Sequence, residues 1–156
     1  MVMTKKVAKP VKGTKGTFYK RPPEGQYVFT VENGLFNIEK VFDKELDQEV
    51  KYYTVLLTFK SDDGYTVVEK KRIAVEDPDN PGEYSETSSF GIAWELISRI
   101  LDRKDMPYQI DEKIVRACIG HRFVADIVHN VGANKVTYAN IDVFSVDVVI
   151  PDDEEE

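Results

Sequence analysis

"KYYTVLLTFKSDDGYTVVEKKRIAV", residues 51–75, decides the fold class. Side chains alternate across a strand, so Tyr53, Val55, Leu57 and Phe59 share one face while Tyr52, Thr54, Leu56, Thr58 and Lys60 share the other. "SDDG" (61–64) supplies turn residues, and "YTVVEKKRIAV" resumes an extended pattern rich in β-branched side chains. Two extended runs joined by a short polar turn predict a β-hairpin. Upstream, "QYVFTVE" (26–32) alternates in the same way, and Asn33-Gly34 behind it is a strong turn signal. "LFNIEKVF" (35–42) then reads as a second short strand or as the far half of a long bent first one.

Downstream, "EDPDNPGEYSETSS" (76–89) is rich in proline and acid, which excludes a central strand and predicts a long exposed loop. A helix is expected over 90–103. The doublets Ile92/Ala93, Leu96/Ile97 and Ile100/Leu101 recur every four residues, with Glu95, Ser98, Arg99, Asp102 and Arg103 opposite. Ser88 or Ser89 would cap it, Pro107 stands beyond its end, and Trp94 would pack over the barrel or its extra helix. "DEKIVRACIG" (111–120) predicts a shorter helix capped by Asp111 and closed by Gly120. Two more β runs follow, "HRFVADIVHN" (121–130) and "KVTYANIDVFSVDVV" (135–149), joined by "VGAN". Three strands, a helix, then two strands is the order of the OB-fold, an all-β five-stranded Greek-key barrel with its helix between the third and fourth strands. A ferredoxin-like fold would need a helix where Asn33-Gly34 stands.

The two histidines, His121 and His129, are the chain's nearest approach to a metal or acid/base pair. Eight strand residues at about 3.3 Å each place them roughly 26 Å apart, far beyond the reach of one ion, so they read as strand-end residues. Cys118, the only cysteine, falls in the apolar pattern Ile114, Val115, Cys118, Ile119 and is expected in the core. The sequence carries no Ser/His/Asp order, glycine-rich phosphate loop or HExxH motif. These readings predict a non-enzyme without metal or cofactor.

With 156 residues, the chain is expected to form one domain over 26–150, between a basic flexible arm (1–25) and an acidic tail (151–156). Residues 1–21 hold seven Lys/Arg and no acid, and "PDDEEE" contributes −5. Removing both from the total of −7 leaves a body of −9, unlike the basic body of an indiscriminate polyanion binder. No apolar run approaches the roughly 20 residues of a membrane span, and no secretory signal precedes the lysines, so a cytoplasmic, non-membrane protein is expected.

The segments "EGQYVFTV", "SSFGIAWELI", "IGHRFVADIVHN" and "KVTYANI", spread over residues 25–145, resemble small phage-encoded single-stranded-DNA-binding proteins with an OB-fold and an acidic C-terminus. The resemblance implies a role in DNA replication and recombination in the bacterial host cytoplasm. It also implies that the tail, here Asp152, Asp153, Glu154, Glu155 and Glu156, docks partner proteins and competes with DNA for the basic surface.

Holding a single strand needs aromatic faces for stacking and cations along the backbone track. The residue pattern offers Tyr52 and Lys60 on the second run, Tyr65 at the hairpin tip, and Lys70, Lys71 and Arg72 in "EKKR". Arg122, Lys135 and Tyr138 are candidates from the last hairpin. Tyr27, Phe29, Tyr53 and Phe59 are assigned to the core. "EKKR" reads equally as a charged strand guarding against edge aggregation. Exposed edges would also permit a homo-oligomer. An alternative function is a protein-interaction module, a host-enzyme modulator or virion assembly component, presenting its acidic surface to basic partners.

Overall fold

A computed structural model describes residues 21–149. The chain is mostly β, with a curled antiparallel half-barrel sheet and few helices. The strands are β1 (Gly25–Asp43), β2 (Gln48–Ser61), β3 (Thr66–Glu76), β4 (Tyr84–Glu86), β5 (Arg122–Val131), β6 (Thr137–Ile141) and β7 (Asp147–Val148). Helices α1 (Phe90–Leu101) and α2 (Glu112–Ala117) lie between β4 and β5. The sheet order is β4-β3-β2-β1-β5-β6, with β7 added to β5.

Asn33-Gly34 does not turn the chain. It lies inside a nineteen-residue β1 that pairs with β2 from Phe29 to Asp43, and the register shifts between Val31 and Asn33. A bulge bends a strand and increases its twist, which is how one long strand serves both halves of the wall. Gly34 faces inward against Leu57 and α2, and a Cβ there would lie 3.0 Å from the Val115 carbonyl oxygen. Close approach of the helix, rather than turn geometry, is what requires glycine at this position.

The hairpin of β2 and β3 forms as expected, with Phe59 opposite Val67 and Leu57 opposite Glu69. Val55, Leu57 and Phe59 are buried, together with Phe29, Phe123, Ala125 and Ile127 from β1 and β5. Tyr27 and Tyr53, expected inside, are partly buried at the two ends of this core. Tyr53 lies against Phe36 and Tyr84, and Tyr27 against Phe29 and Tyr65.

Residues 76–89 form a hairpin rather than a loop. Asp77 accepts from the Asp79 amide and Asn80 Nδ2, Gly82 adopts φ +91°, and β4 returns along Ala74–Glu76. The last run also breaks, because Asp142 accepts from the Phe144 amide and starts a 3₁₀ turn before β7. On α1 Ser89 precedes the helix without a side-chain cap, and Ser98, expected outside, is buried and donates to the Glu95 carbonyl. Asp111 caps α2 by accepting from the Ile114 amide at 2.8 Å. Trp94 donates to the Pro107 carbonyl and packs on Tyr108.

The folded part begins earlier than composition indicated. Pro22 is fully buried, Arg21 donates to the Thr137 carbonyl, and the Glu24 carboxylate accepts from the His129 amide.

β3 and β6 come together without a backbone ladder between them. Glu69, buried on the inner side of β3, spans the gap instead: Oε2 accepts from the Ile141 amide at 3.0 Å and from Asn140 Nδ2 at 3.3 Å.

Gly34→Ala should lower stability by about 1–3 kcal/mol, because the added methyl meets helix backbone rather than a flexible side chain. Urea unfolding measures it, and an unchanged midpoint would show that the β1–α2 approach tolerates a side chain.

Candidate functional site

The outer face of β1, β2 and β3 gathers part of the expected set and divides the rest. Alternation along β3 puts Lys70 and Arg72 outside and sends Lys71 inward, where its ammonium lies 3.6 Å from Glu69 Oε1. "EKKR" is therefore two groups on opposite sides of one strand, and Lys71 does not join the outer cations.

Lys70 and Arg72 converge on Glu39 of β1. Lys70 Nζ donates to Oε2 at 2.7 Å, and Arg72 donates from Nε to Oε1 at 3.0 Å and from Nη2 to Oε2 at 3.5 Å. Thr54 Oγ1, largely buried beside them, donates to Oε1 at 3.2 Å. The Arg72 guanidinium carbon also sits 5.2 Å from the centre of the Tyr52 ring, within cation–π range. Register explains the assembly, since Glu39 is opposite Tyr52, and Thr54 is opposite Arg72. Beside this cluster is a depression of ≈ 310 Å³ lined by Asn37, Ile38, Glu39, Thr54, Leu56 and Lys70.

Lys60 lies farther along the same face and makes no salt bridge among the described residues. It shares a cross-strand row with Thr30, whose other neighbour is Arg122. Arg122 is held by the Asp62 carboxylate through two hydrogen bonds of 3.0 Å. Leu35, Leu56 and Val68 occupy the ground between the two ends, with Leu35 opposite Leu56.

The remaining candidates stand apart. Tyr65 packs edge-on against Tyr27 with ring centres 5.7 Å apart. Lys135 takes φ +64° in the β5–β6 turn, and exposed Tyr138 accepts from Asn134 Nδ2 on the same hairpin, across the β3–β6 seam. Asp152 through Glu156 lie outside the described residues.

The histidines are tied to backbone at the two ends of β5. The His121 carbonyl accepts from the Val31 amide, and His129 Nε2 lies 2.7 Å from the Pro22 carbonyl. Burial pushes the Cys118 thiol up to about 12, which leaves it protonated and unreactive at neutral pH. Among the described residues no three His, Cys, Asp or Glu side chains are grouped to hold a metal ion, and no helix is long and apolar enough to cross a membrane.

Glu39 and Thr54 are the members of this cluster that sequence reasoning missed. Neither lies in a motif, and the contact spans thirty-one residues from Glu39 to Lys70. Only the β1–β2–β3 register brings them together. No protein-family model matches the chain, and no curated protein matches it.

Hydrogen bonds from Arg72 and then Lys70 hold the Glu39 carboxyl down to about 2, against an ordinary 4.5. A lowered folded-state pKa means that this carboxylate's contribution to stability is complete above about pH 4.5 and is lost as pH falls through about 2. A carboxyl-carbon NMR titration should place the Glu39 midpoint well below those of exposed glutamates; a midpoint near 4.5 would show the network open in solution.

Proposed function

We propose that the chain is a non-catalytic single-stranded-DNA-binding protein of the phage OB type, acting in replication or recombination. The observation that carries this reading is the outer face of β2 and β3, where Tyr52, Lys60, Lys70 and Arg72 share one surface. The connectivity supports it: β2 lies between β1 and β3, β1 continues to β5 and β6, and α1 falls between β3 and β5. That is the order of an OB barrel, with Glu69 spanning the seam that a fully closed one would zip. In such barrels oligonucleotides lie over the second and third strands, where stacking contributes about 1–3 kcal/mol per base. Tyr52 supplies the ring, Lys60 a cation without a salt bridge among the described residues, and Leu35, Leu56 and Val68 apolar ground between. Lys135 and Tyr138 would meet a strand that continues past the seam.

Fluorescent oligo-dT should bind with micromolar or tighter affinity and weaken with salt by a log–log slope of about −0.7 for each phosphate neutralised. Changing Lys60, Lys70 and Arg72 together to alanine should weaken it at least about tenfold, while Lys71→Ala, pointing inward, should leave it nearly unchanged. Equal effects of the two variants would place the DNA elsewhere.

The tail carries five acids in its last five residues, and as a polyanion it would compete for the same cations. Deleting residues 151–156 should tighten oligo-dT binding, and unchanged affinity would remove the competition.

A second reading has its own observation. The β1–β2 and β3–β4 turns meet in a groove of ≈ 340 Å³ lined by Asp43, Leu46, Tyr52, Glu76, Asp77 and others. Leu46 is more than half exposed there, close in sequence to Glu45, Asp47 and Glu49. An apolar floor within an acidic rim suits a basic protein partner, and absence of oligo-dT binding at low salt would favour this module.

A further inference from the structure

We infer that Glu39 fills a phosphate seat, and that a nucleic-acid phosphodiester enters the outer face by displacing its carboxylate from Lys70, Arg72 and Thr54. The inference rests on the single-strand-binding reading of that face and names the part of it that receives the backbone.

The seat has the donors a phosphate needs. Lys70 provides an ammonium, Arg72 a guanidinium edge and Thr54 a hydroxyl, all aimed at two carboxylate oxygens at 2.7–3.5 Å. Arginine offers planar, multidentate donation that suits phosphate as well as carboxylate. The Tyr52 ring lies under the guanidinium and Thr54 is largely buried, so two of the three donors have supports other than Glu39. Next to the seat, the depression of ≈ 310 Å³ has Leu56 for apolar ground, at the small end of ligand sites, which start near 300 Å³. A phosphate in the seat would leave its sugar and base over that ground.

Glu39 is itself movable. Its side chain stays about a quarter exposed, as do Lys70 and Arg72 at nearly half, so the carboxylate can rotate to water without leaving a buried charge behind. As long as it stays, the Glu39 carboxylate offsets one of the two positive charges of Lys70 and Arg72 and occupies their donors, so their pull on a polyanion is reduced. The residue thus sets a threshold: a phosphodiester held by neighbouring contacts can replace Glu39, and an isolated anion competes poorly.

The experiment compares wild type, Glu39→Gln and Glu39→Gln combined with K70Q and R72Q, using oligo-dT and inorganic pyrophosphate as probes. Glutamine keeps the shape and still accepts from Thr54, and the thermal melt of each variant verifies folding. Removing the carboxylate should tighten oligo-dT roughly tenfold at low salt and steepen the salt slope by about 0.7, the amount for the one further phosphate that the seat holds. The triple variant should lose that gain. Pyrophosphate should shift the Thr54 and Arg72 resonances in Glu39→Gln and hardly at all in wild type. An unchanged affinity and slope in Glu39→Gln, or a gain that survives K70Q and R72Q, overturns the seat. Pyrophosphate filling of the seat with no oligo-dT binding by either protein overturns the single-strand reading and leaves the seat standing.

Discussion

One strand carries the architecture. β1 is paired with β5 through Gly25–Thr30 and with β2 through Phe29–Asp43, so both halves of the wall hang on the same backbone. A strand of nineteen residues far exceeds the usual five or six, and it can join two differently tilted neighbours only by bending. The bend falls at Val31–Asn33, where the ladder to β5 ends. There the Val31 carbonyl accepts from the Gly120 amide at 2.8 Å and the Val31 amide donates to the His121 carbonyl at 3.0 Å. No buried backbone group of Val31 is left unpaired by the bulge. Gly34 follows within one turn of the bend and lets Val115 of α2 settle on the strand. Bulge, glycine, helix and the start of β5 are thus one device at a single corner.

The opposite seam works by another chemistry. Where β3 meets β6 a side-chain carboxylate does what a backbone ladder would do elsewhere. A buried glutamate is costly unless its oxygens are answered, and Glu69 is answered by the Ile141 amide, the Asn140 amide group and the Lys71 ammonium. That explains why one lysine of "EKKR" leans toward the seam and stays only partly exposed. The inward Glu69–Lys71 pair is structural, and the outward Lys70–Arg72 pair faces Glu39, so four consecutive charged residues serve two separate tasks.

Strand periodicity made the β2–β3 hairpin, the buried face of β5 and the amphipathic α1 legible, because the period-2 and period-3.6 patterns there are long and uninterrupted. It failed where a local signal has two physical outcomes. Asn-Gly suits a tight turn, yet glycine also suits a bulge beside a packed helix, and only α2 decides between them. The acid- and proline-rich 76–89 segment looked like a loop, although Asp77 and Gly82 close it into a hairpin whose second strand, three residues long, is too short to show alternation. In the same way Asp142 interrupts a run that is apolar on both sides. For the site, the aromatic and cationic residues of β2 and β3 were visible as types, but their partner was not. Glu39 pairs with them through register across three strands, information that no local window contains.

The charge distribution fits an acidic body to a polyanion without contradiction. Asp43, Glu76 and Asp77, which make no salt bridge among the described residues, lie at the end where the β1–β2 and β3–β4 turns meet. Lys60 and Arg122 lie toward the other end, twelve residues along β2 from Gln48, or about 40 Å of strand. With a Debye length of about 8 Å at physiological salt, the acidic end is screened from that region several times over. Net charge therefore describes the two ends poorly, and the local field over the outer face is what an approaching phosphate feels. Glu39 stands between these regions, on the row that carries Tyr52 and beside Lys70 and Arg72. An anionic strand laid on this face would be repelled at the turn end, and Lys60 is the cation toward the other end that makes no salt bridge among the described residues, since Arg122 is paired with Asp62.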